Sequence, residues 1–401
     1  MRLSEVKLHR VKLRQVSAPL ADIPAKLRAE FAAAVTPKLR PGMRIAIALG
    51  SRGVSNIALL AKTLVALINE SGASCFIVPA MGSHGGATPE GQRAVLADYG
   101  VTEEAVGAPV VSSLEVVRLG STGGKPDIPV FLDRAAFGAD GIIAVNRVKP
   151  HTDFHGEHES GIVKMLTIGL GKHRQAIEMH THGASGLRDY IPRVSKKVVE
   201  SGKILSCLAV LEDGYDQTAD LAFASGDEIF SLDKAFLARS RQMMAKLPFQ
   251  SLDVLVVDEM GKDISGTGMD TNVIGRLRID GQADGLPKIA SIAVLDLTPA
   301  SHGNALGVGL ADVCTRRLAS QIDWAATYQN VVTSGFLARG YLPIVREDDE
   351  SAIELAISAS GARNPQALRL ARIRNTLHLD EILVTKPLLD ELLQGGQGEE
   401  I

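Results

Sequence analysis

The sequence predicts an α/β fold in two domains, the first a mostly parallel, Rossmann-like sheet with helices on both faces, the second a smaller α/β domain. Three observations predict it: the length, a strand–loop–helix alternation in the first half, and a break near Pro248 followed by a second alternating run. The 401 residues are 45% hydrophobic but only 4% aromatic, enough for two or three ordinary domains with aliphatic cores. RIAIALG (Arg44 to Gly50) reads as a buried strand ending in a glycine turn. Ser55 is placed to cap the next helix, on which Ile57, Leu60, Leu64, Leu67 and Ile68 recur at helical spacing until Gly72. CFIVPA, from Cys75, runs into the loop MGSHGGAT, and Thr88 with Pro89 forms a cap and first-turn pair for a helix ending near Tyr99. Such alternation argues for a parallel sheet covered by helices, with ligands bound at the loops leaving the strand ends.

Further strands are expected at Ile128 to Leu132, Gly141 to Val145 and Ile204 to Leu211, then a helix over Leu232 to Leu247. Pro248 breaks the pattern, which sets the first domain at residues 1–248 and the second at 249–378. The second opens on LDVLVV (Leu252 to Val257) and contains SIAVLDL (Ser291 to Leu297). Helical patterns follow near Leu310 to Ile322, Ser351 to Ala359 and Pro365 to Arg374. The tail LDEILVT (Leu379 to Thr385) can add a strand back to the first domain, which residues 379–401 would then complete, while Gln394 to Glu400 reads as frayed.

The charge balance excludes some partners. With 43 Lys and Arg against 46 Asp and Glu, the net charge of −3 supplies no field to gather nucleic acid or anionic membrane. Three scattered cysteines (Cys75, Cys207, Cys314) give no disulfide framework and fit a reducing compartment, so the expected location is cytoplasmic. No apolar run approaches the roughly 18 residues of a membrane helix, and the charged opening MRLSEVKLHRVKLRQ is unlike a signal peptide. Oligomeric state is open.

The histidines are informative by placement. Six of the ten (His151, His155, His158, His173, His180, His182) fall between positions 151 and 182, directly after the strand GIIAV. Imidazoles ligate borderline metals or exchange protons near neutral pH, and Lys164, among Ile162, Val163, Met165 and Leu166, sits in an apolar setting that suits a nucleophilic amine. One reading of the cluster is a zinc-type metallohydrolase using His155, His158 and His180, although the spacings match no tight zinc signature.

The segments GSRGVSN, GSHGGATPE, VKPHTDF…ESGIVK…IGLGK…MH and DEMGKDISGTGMDTN, in that order from about Arg44 to Asp312, resemble the nickel-dependent lactate racemase family and its 2-hydroxyacid racemase and epimerase relatives. The resemblance implies a nickel-pincer nucleotide tethered to Lys164, with His180 ligating the nickel and His84 and His151 as the two catalytic histidines. It implies inversion of C2 of a 2-hydroxyacid by transient hydride transfer to that cofactor, one histidine serving each enantiomer. Arg52 matches the family's strand-end arginine, which implies contact with cofactor and substrate, Ser51 beside it is a further cofactor-binding candidate, and Lys262 matches the lysine that holds the substrate carboxylate. The first domain would then tether the cofactor, the site would lie in a cleft between domains, and proteins that build the cofactor would be partners.

The chain departs from the lactate racemase pattern around Arg52, with Gly50, Ser51, Gly53 and Val54, and at Glu259, where the lactate enzyme carries glutamine. An acid at Glu259 repels a simple hydroxyacid's carboxylate and accepts hydrogen bonds from hydroxyls, which favours a sugar acid. A rival to catalysis is a non-catalytic sugar-acid binding protein on the same fold. A dehydrogenase using free nicotinamide is disfavoured, because no G-x-G-x-x-G follows an early strand.

Overall fold

The first strand of the structure is β1 (His9–Leu13). The computed structural model describes residues 1–50, 53–183 and 186–401. It divides into two compact units, Ser17–Met244, and Met1–Val16 together with Ala245–Ile401.

The first unit contains β2 (Arg44–Leu49), β3 (Ser74–Pro79), a hairpin of β4 (Val116–Ser121) and β5 (Pro129–Asp133), then β6 (Gly141–Arg147), β7 (Ile204–Glu212) and β8 (Thr218–Ala224). Its five-stranded sheet has the order β3-β2-β6-β7-β8, parallel throughout except for β8. A parallel sheet is covered on both faces, so its strands read as continuous apolar runs whose alternate residues enter opposite cores. In β2, Ile45, Ile47 and Leu49 pack with Leu60, Leu64 and Ile68 of the helix Ile57–Glu70. Ala46 and Ala48 face the other core, with Val194 and Val198 of the helix Ile191–Glu200 and Phe236 and Leu237 of the helix Glu228–Met243. Helices therefore cover both faces.

Local chemistry starts the helices. Thr88 caps Pro89–Asp98 by accepting the Gly91 N–H at 3.0 Å. The cap expected at Ser55 falls instead on Asn56, held at φ +59°, a left-handed conformation that asparagine tolerates. The Ser55 N–H is spent on Glu212, at 2.6 Å.

The second unit contains β9 (Ser251–Met260), β10 (Lys288–Leu297), β11 (Val313–Thr315), β12 (Ile344–Arg346), β13 (Leu370–Ile373), β14 (Glu381–Val384) and β15 (Gly398–Glu400). With β1 they form an eight-stranded sheet of order β12-β11-β10-β9-β13-β14-β1-β15, parallel from β12 to β13 and antiparallel beyond.

Five sequence expectations are corrected here. The division falls at Met244/Ala245, just ahead of Pro248, and residues up to Val16 belong to the second unit. Residues 379–401 do not complete the first unit: β14 and β15 flank β1 and satisfy its two edges. For the same reason the stretch read as frayed ends in β15. Pro365 to Arg374 is not a helix; Leu370 enters one core while Ala371 and Ile373 enter the other, an alternation that only a strand between β9 and β14 gives. Leu310 to Ile322 splits into β11 and a short helix, Arg316–Gln321.

A buried ion pair joins the ends of several elements of the first unit. Lys172, fully buried at φ +56°, sits 2.9 Å from the carboxylate of Asp133, also fully buried, and its ammonium also donates to the Pro79 carbonyl at the end of β3. Burial holds the Lys172 ammonium below its ordinary pKa, and Asp133 opposes that fall. Breaking a buried pair leaves a desolvated charge, so Lys172→Met is expected to cost about 3–5 kcal/mol in chemical denaturation. Adding Asp133→Leu should restore much of the loss, and failure of the double variant to recover would show that the pair does more than neutralise itself.

Candidate functional site

The sheet order places the expected site residues. From β2 the chain moves to β3 on one side, then returns to β6 on the other, so the loops after β2, β3 and β6 emerge side by side at a topological switch point, where ligands bind in open α/β sheets. Ser51 and Arg52, in the loop after β2, lie outside the described residues.

After β6 the chain forms a loop closed at its base by reciprocal Lys149 and Ser160 backbone hydrogen bonds of 2.8 and 3.1 Å. The loop carries His151, half-buried, its ring 4.5 Å from that of buried Phe154. His151 Nδ1 accepts the Asp153 N–H at 3.0 Å, and Nε2 meets the Lys164 amine.

Lys164 ends the short helical segment Ile162–Lys164 and leads into a π-helical turn, Met165–Gly169, among the buried side chains of Ile162, Val163, Met165 and Leu166. Such turns are concentrated at functional sites because they re-aim side chains. The start of this segment is fixed from outside. Fully buried Asp233 accepts the Val163 N–H at 3.3 Å and pairs with His158 Nδ1 at 2.9 Å. A Cβ on Gly161 would lie 2.1 Å from Asp233 Oδ1, so glycine is required there. Asn146, at the end of β6, donates to the Gly161 carbonyl at 3.0 Å.

His180 is the last residue of the helix Lys172–His180. Burial chiefly, and then the charge of Lys164, hold its pKa below the ordinary histidine value, with Asp153 opposing. A neutral imidazole is the form that binds a metal. His84 heads the turn Gly85–Ala87 after β3. Buried Gln92 donates to the carbonyls of Gly82 at 2.8 Å and His84 at 3.3 Å, and a Cβ on Gly82 would meet Ile168 at 2.8 Å. The His84 loop is thus seated on the π turn that follows Lys164.

Glu259 and Lys262 belong to the other unit. Lys262 Nζ donates to the Gly266 carbonyl at 2.7 Å and its N–H to Ser301 Oγ at 2.8 Å. Glu259 is not the unneutralised acid that the sequence suggests: Arg374 Nε pairs with it at 3.0 Å and Asn375 Nδ2 donates at 2.9 Å. Its power to repel a substrate carboxylate is offset accordingly. Arg374 and Asn375 went unseen because their segment reads as helical.

The zinc set is not assembled. Among the described residues no group of three His, Cys, Asp or Glu is placed to hold a metal ion. His155 Nδ1 lies 3.3 Å from Glu159, and His158 is engaged by Asp233 and packed edge-on to Phe230.

Fold and strand-end loops together define a two-unit α/β protein. Among solved structures it is similar to the lactate racemase apoprotein of Thermoanaerobacterium thermosaccharolyticum, at 13% identity and a TM-score of 0.52, over 91% of this chain and 94% of that one. It is similar also to a structural-genomics protein of Thermotoga maritima, at 17% identity and a TM-score of 0.52, over 70% and 71% of the two chains. At these identities the likeness is one of fold. No family model and no curated protein matches the sequence.

The depressed pKa of His180 has a consequence for stability. The unfolded chain takes up the proton at the ordinary value, so the contribution of His180 to stability is full above that pH. It declines as pH falls below it, then levels off below the folded-state pKa. Lys164→Gln should raise the His180 pKa, measured by NMR titration, while burial keeps it below the ordinary value. No rise would mean that Lys164 does not bear on His180.

Proposed function

We propose that the protein inverts C2 of a 2-hydroxyacid, as a racemase or epimerase, with a nickel-pincer nucleotide tethered through Lys164 and its nickel ligated by His180. The observation that carries this reading is the meeting of the Lys164 amine with His151 Nε2, with His180 in the field of Lys164, at the sheet's switch point. The residues suit the group: an amine in an apolar turn for the tether, and an imidazole kept neutral as metal ligand. When bound, the cofactor supplies a hydride acceptor.

The chain's own residues supply binding and proton transfer. His151 and His84 serve as the two acid–base groups, one for each enantiomer: one takes the substrate's hydroxyl proton, and the other, entering protonated, gives a proton to the hydroxyl of the opposite enantiomer. Lys262 is assigned to the substrate carboxylate, and Ser51 and Arg52 to the cofactor, with Arg52 also near substrate. A sugar acid remains the favoured substrate class, with the Glu259–Arg374 pair as a hydrogen-bonding group for hydroxyls. Loading requires partner proteins that make the cofactor.

The test is to purify the protein from cells that make the cofactor, measure nickel, and weigh the peptide containing Lys164. A panel of 2-hydroxyacids and aldonic acids is then followed by NMR in deuterated water, where new C2 epimers without deuterium at C2 are expected. His84→Asn and His151→Asn should each lower kcat by ~10²–10⁴-fold. Absence of both nickel and a covalent adduct overturns the cofactor assignment. Saturable sugar-acid binding with no epimer formed would point to a binding protein.

A further inference from the structure

The loop HTDFHGEHES (His151 to Ser160) holds three carboxylates and three histidines, yet the side chain of Glu159 within it is fully buried. Burying a carboxylate is costly unless several donors converge on it. Here they do. Oε2 accepts the His151 N–H at 2.6 Å, and Oε1 accepts the Gly156 N–H at 3.0 Å, with His155 Nδ1 at 3.3 Å and the Arg241 guanidinium on the same oxygen. Arg241 donates also to the Gly156 carbonyl, at 3.0 Å. Burial alone would push the carboxyl pKa up; the hydrogen bonds from His155, His151 and Gly156, with the Arg241 charge, bring it below the ordinary value.

These contacts have a direction. Arg241 lies on the helix Glu228–Met243, which meets the same stretch at two further points, Asp233 with His158 and Lys234 with Glu157. The Lys234 contact is between exposed groups and contributes little. The contacts that end on buried carboxylates remain: Asp233 holds the helical start that leads to Lys164, and Glu159, met by the half-exposed Arg241, accepts the backbone N–H of His151. One helix thereby sets both members of the His151–Lys164 contact. We infer that Glu159, braced by Arg241, is a positioning residue for His151, fixing the backbone from which the imidazole reaches Lys164. This rests on the proposed role of His151 as a base, and makes His155 and His158 parts of a clasp instead of metal ligands.

The test uses Glu159→Gln, which keeps the shape and loses the charge, with Glu159→Asp as the conservative comparison and Arg241→Met with Arg241→Lys. In the full-length protein without cofactor, hydrogen exchange across residues 149–160 is expected to quicken at least tenfold in Glu159→Gln and Arg241→Met. The ¹⁵N signature of the His151 ring should shift away from the accepting-Nδ1 form. Circular dichroism identical to wild type guards against global unfolding, and a variant that fails it is replaced by its conservative partner. In the loaded enzyme, kcat should fall by about 10–100-fold with KM within about threefold, because misplacing a base by a fraction of an ångström costs turnover more than binding. Partial recovery is expected in Glu159→Asp and Arg241→Lys. Unchanged exchange and an unchanged His151 signature in a folded Glu159→Gln would overturn the positioning role. An inactive wild type would instead count against the base assignment, and the exchange data would still decide the clasp.

Discussion

Three neighbouring parallel strands carry the arrangement. Because β3, β2 and β6 run the same way and lie side by side, their C-terminal ends open onto one edge of the sheet. Each strand is locked by apolar contacts on both faces, so the residues just beyond it inherit a position set by the core. The loops need not be rigid by themselves. They need only be tied down within a few residues of a strand end, and Gln92, Asn146, Asp233 and Glu159 do so through backbone groups.

Those ties share a chemistry: a polar side chain, buried for Gln92, Asp233 and Glu159 and part-buried for Asn146, spends its bonding capacity on main-chain atoms of the loops. Such groups are expensive to bury alone, and each is satisfied by donors or acceptors that only the native loop path provides. The cost of leaving one unpaired selects against other loop conformations. The buried Lys172–Asp133 pair, joined to the Pro79 carbonyl, does the same one layer below, linking the end of the strand that leads to His84 to the helix that ends in His180.

Much of this was legible in the sequence. The apolar runs of β2, β6, β9 and β10 are long enough to be strands by composition, and the Thr88–Pro89 pair marks its helix without tertiary information. The clustering of histidines after one strand drew attention to the loop whose His151 meets Lys164. What could not be read was pairing over long sequence distances. Nothing near Glu159 announces Arg241, nothing near Glu259 announces Arg374, and His155 and His158 resemble metal ligands until Glu159 and Asp233 are seen beside them. The same limit explains the errors in the second unit. A four-residue strand such as β13 has helical spacing by accident, and its identity comes from β9 and β14, more than a hundred residues away in one case and a few residues in the other.

The placement of β1 between β14 and β15 bears on how the chain matures. The whole of Ser17–Met244 is an insertion within the eight-stranded unit, threaded between its first strand and the rest. During vectorial synthesis the inserted unit has all its residues once Met244 has emerged, and can fold as a self-contained body. β1 must wait, with both edges open, until residues 381–400 are made. The eight-stranded unit is thus assembled last although it holds the first strand of the chain, and that interval is when an unpaired edge is most exposed to pairing with another molecule.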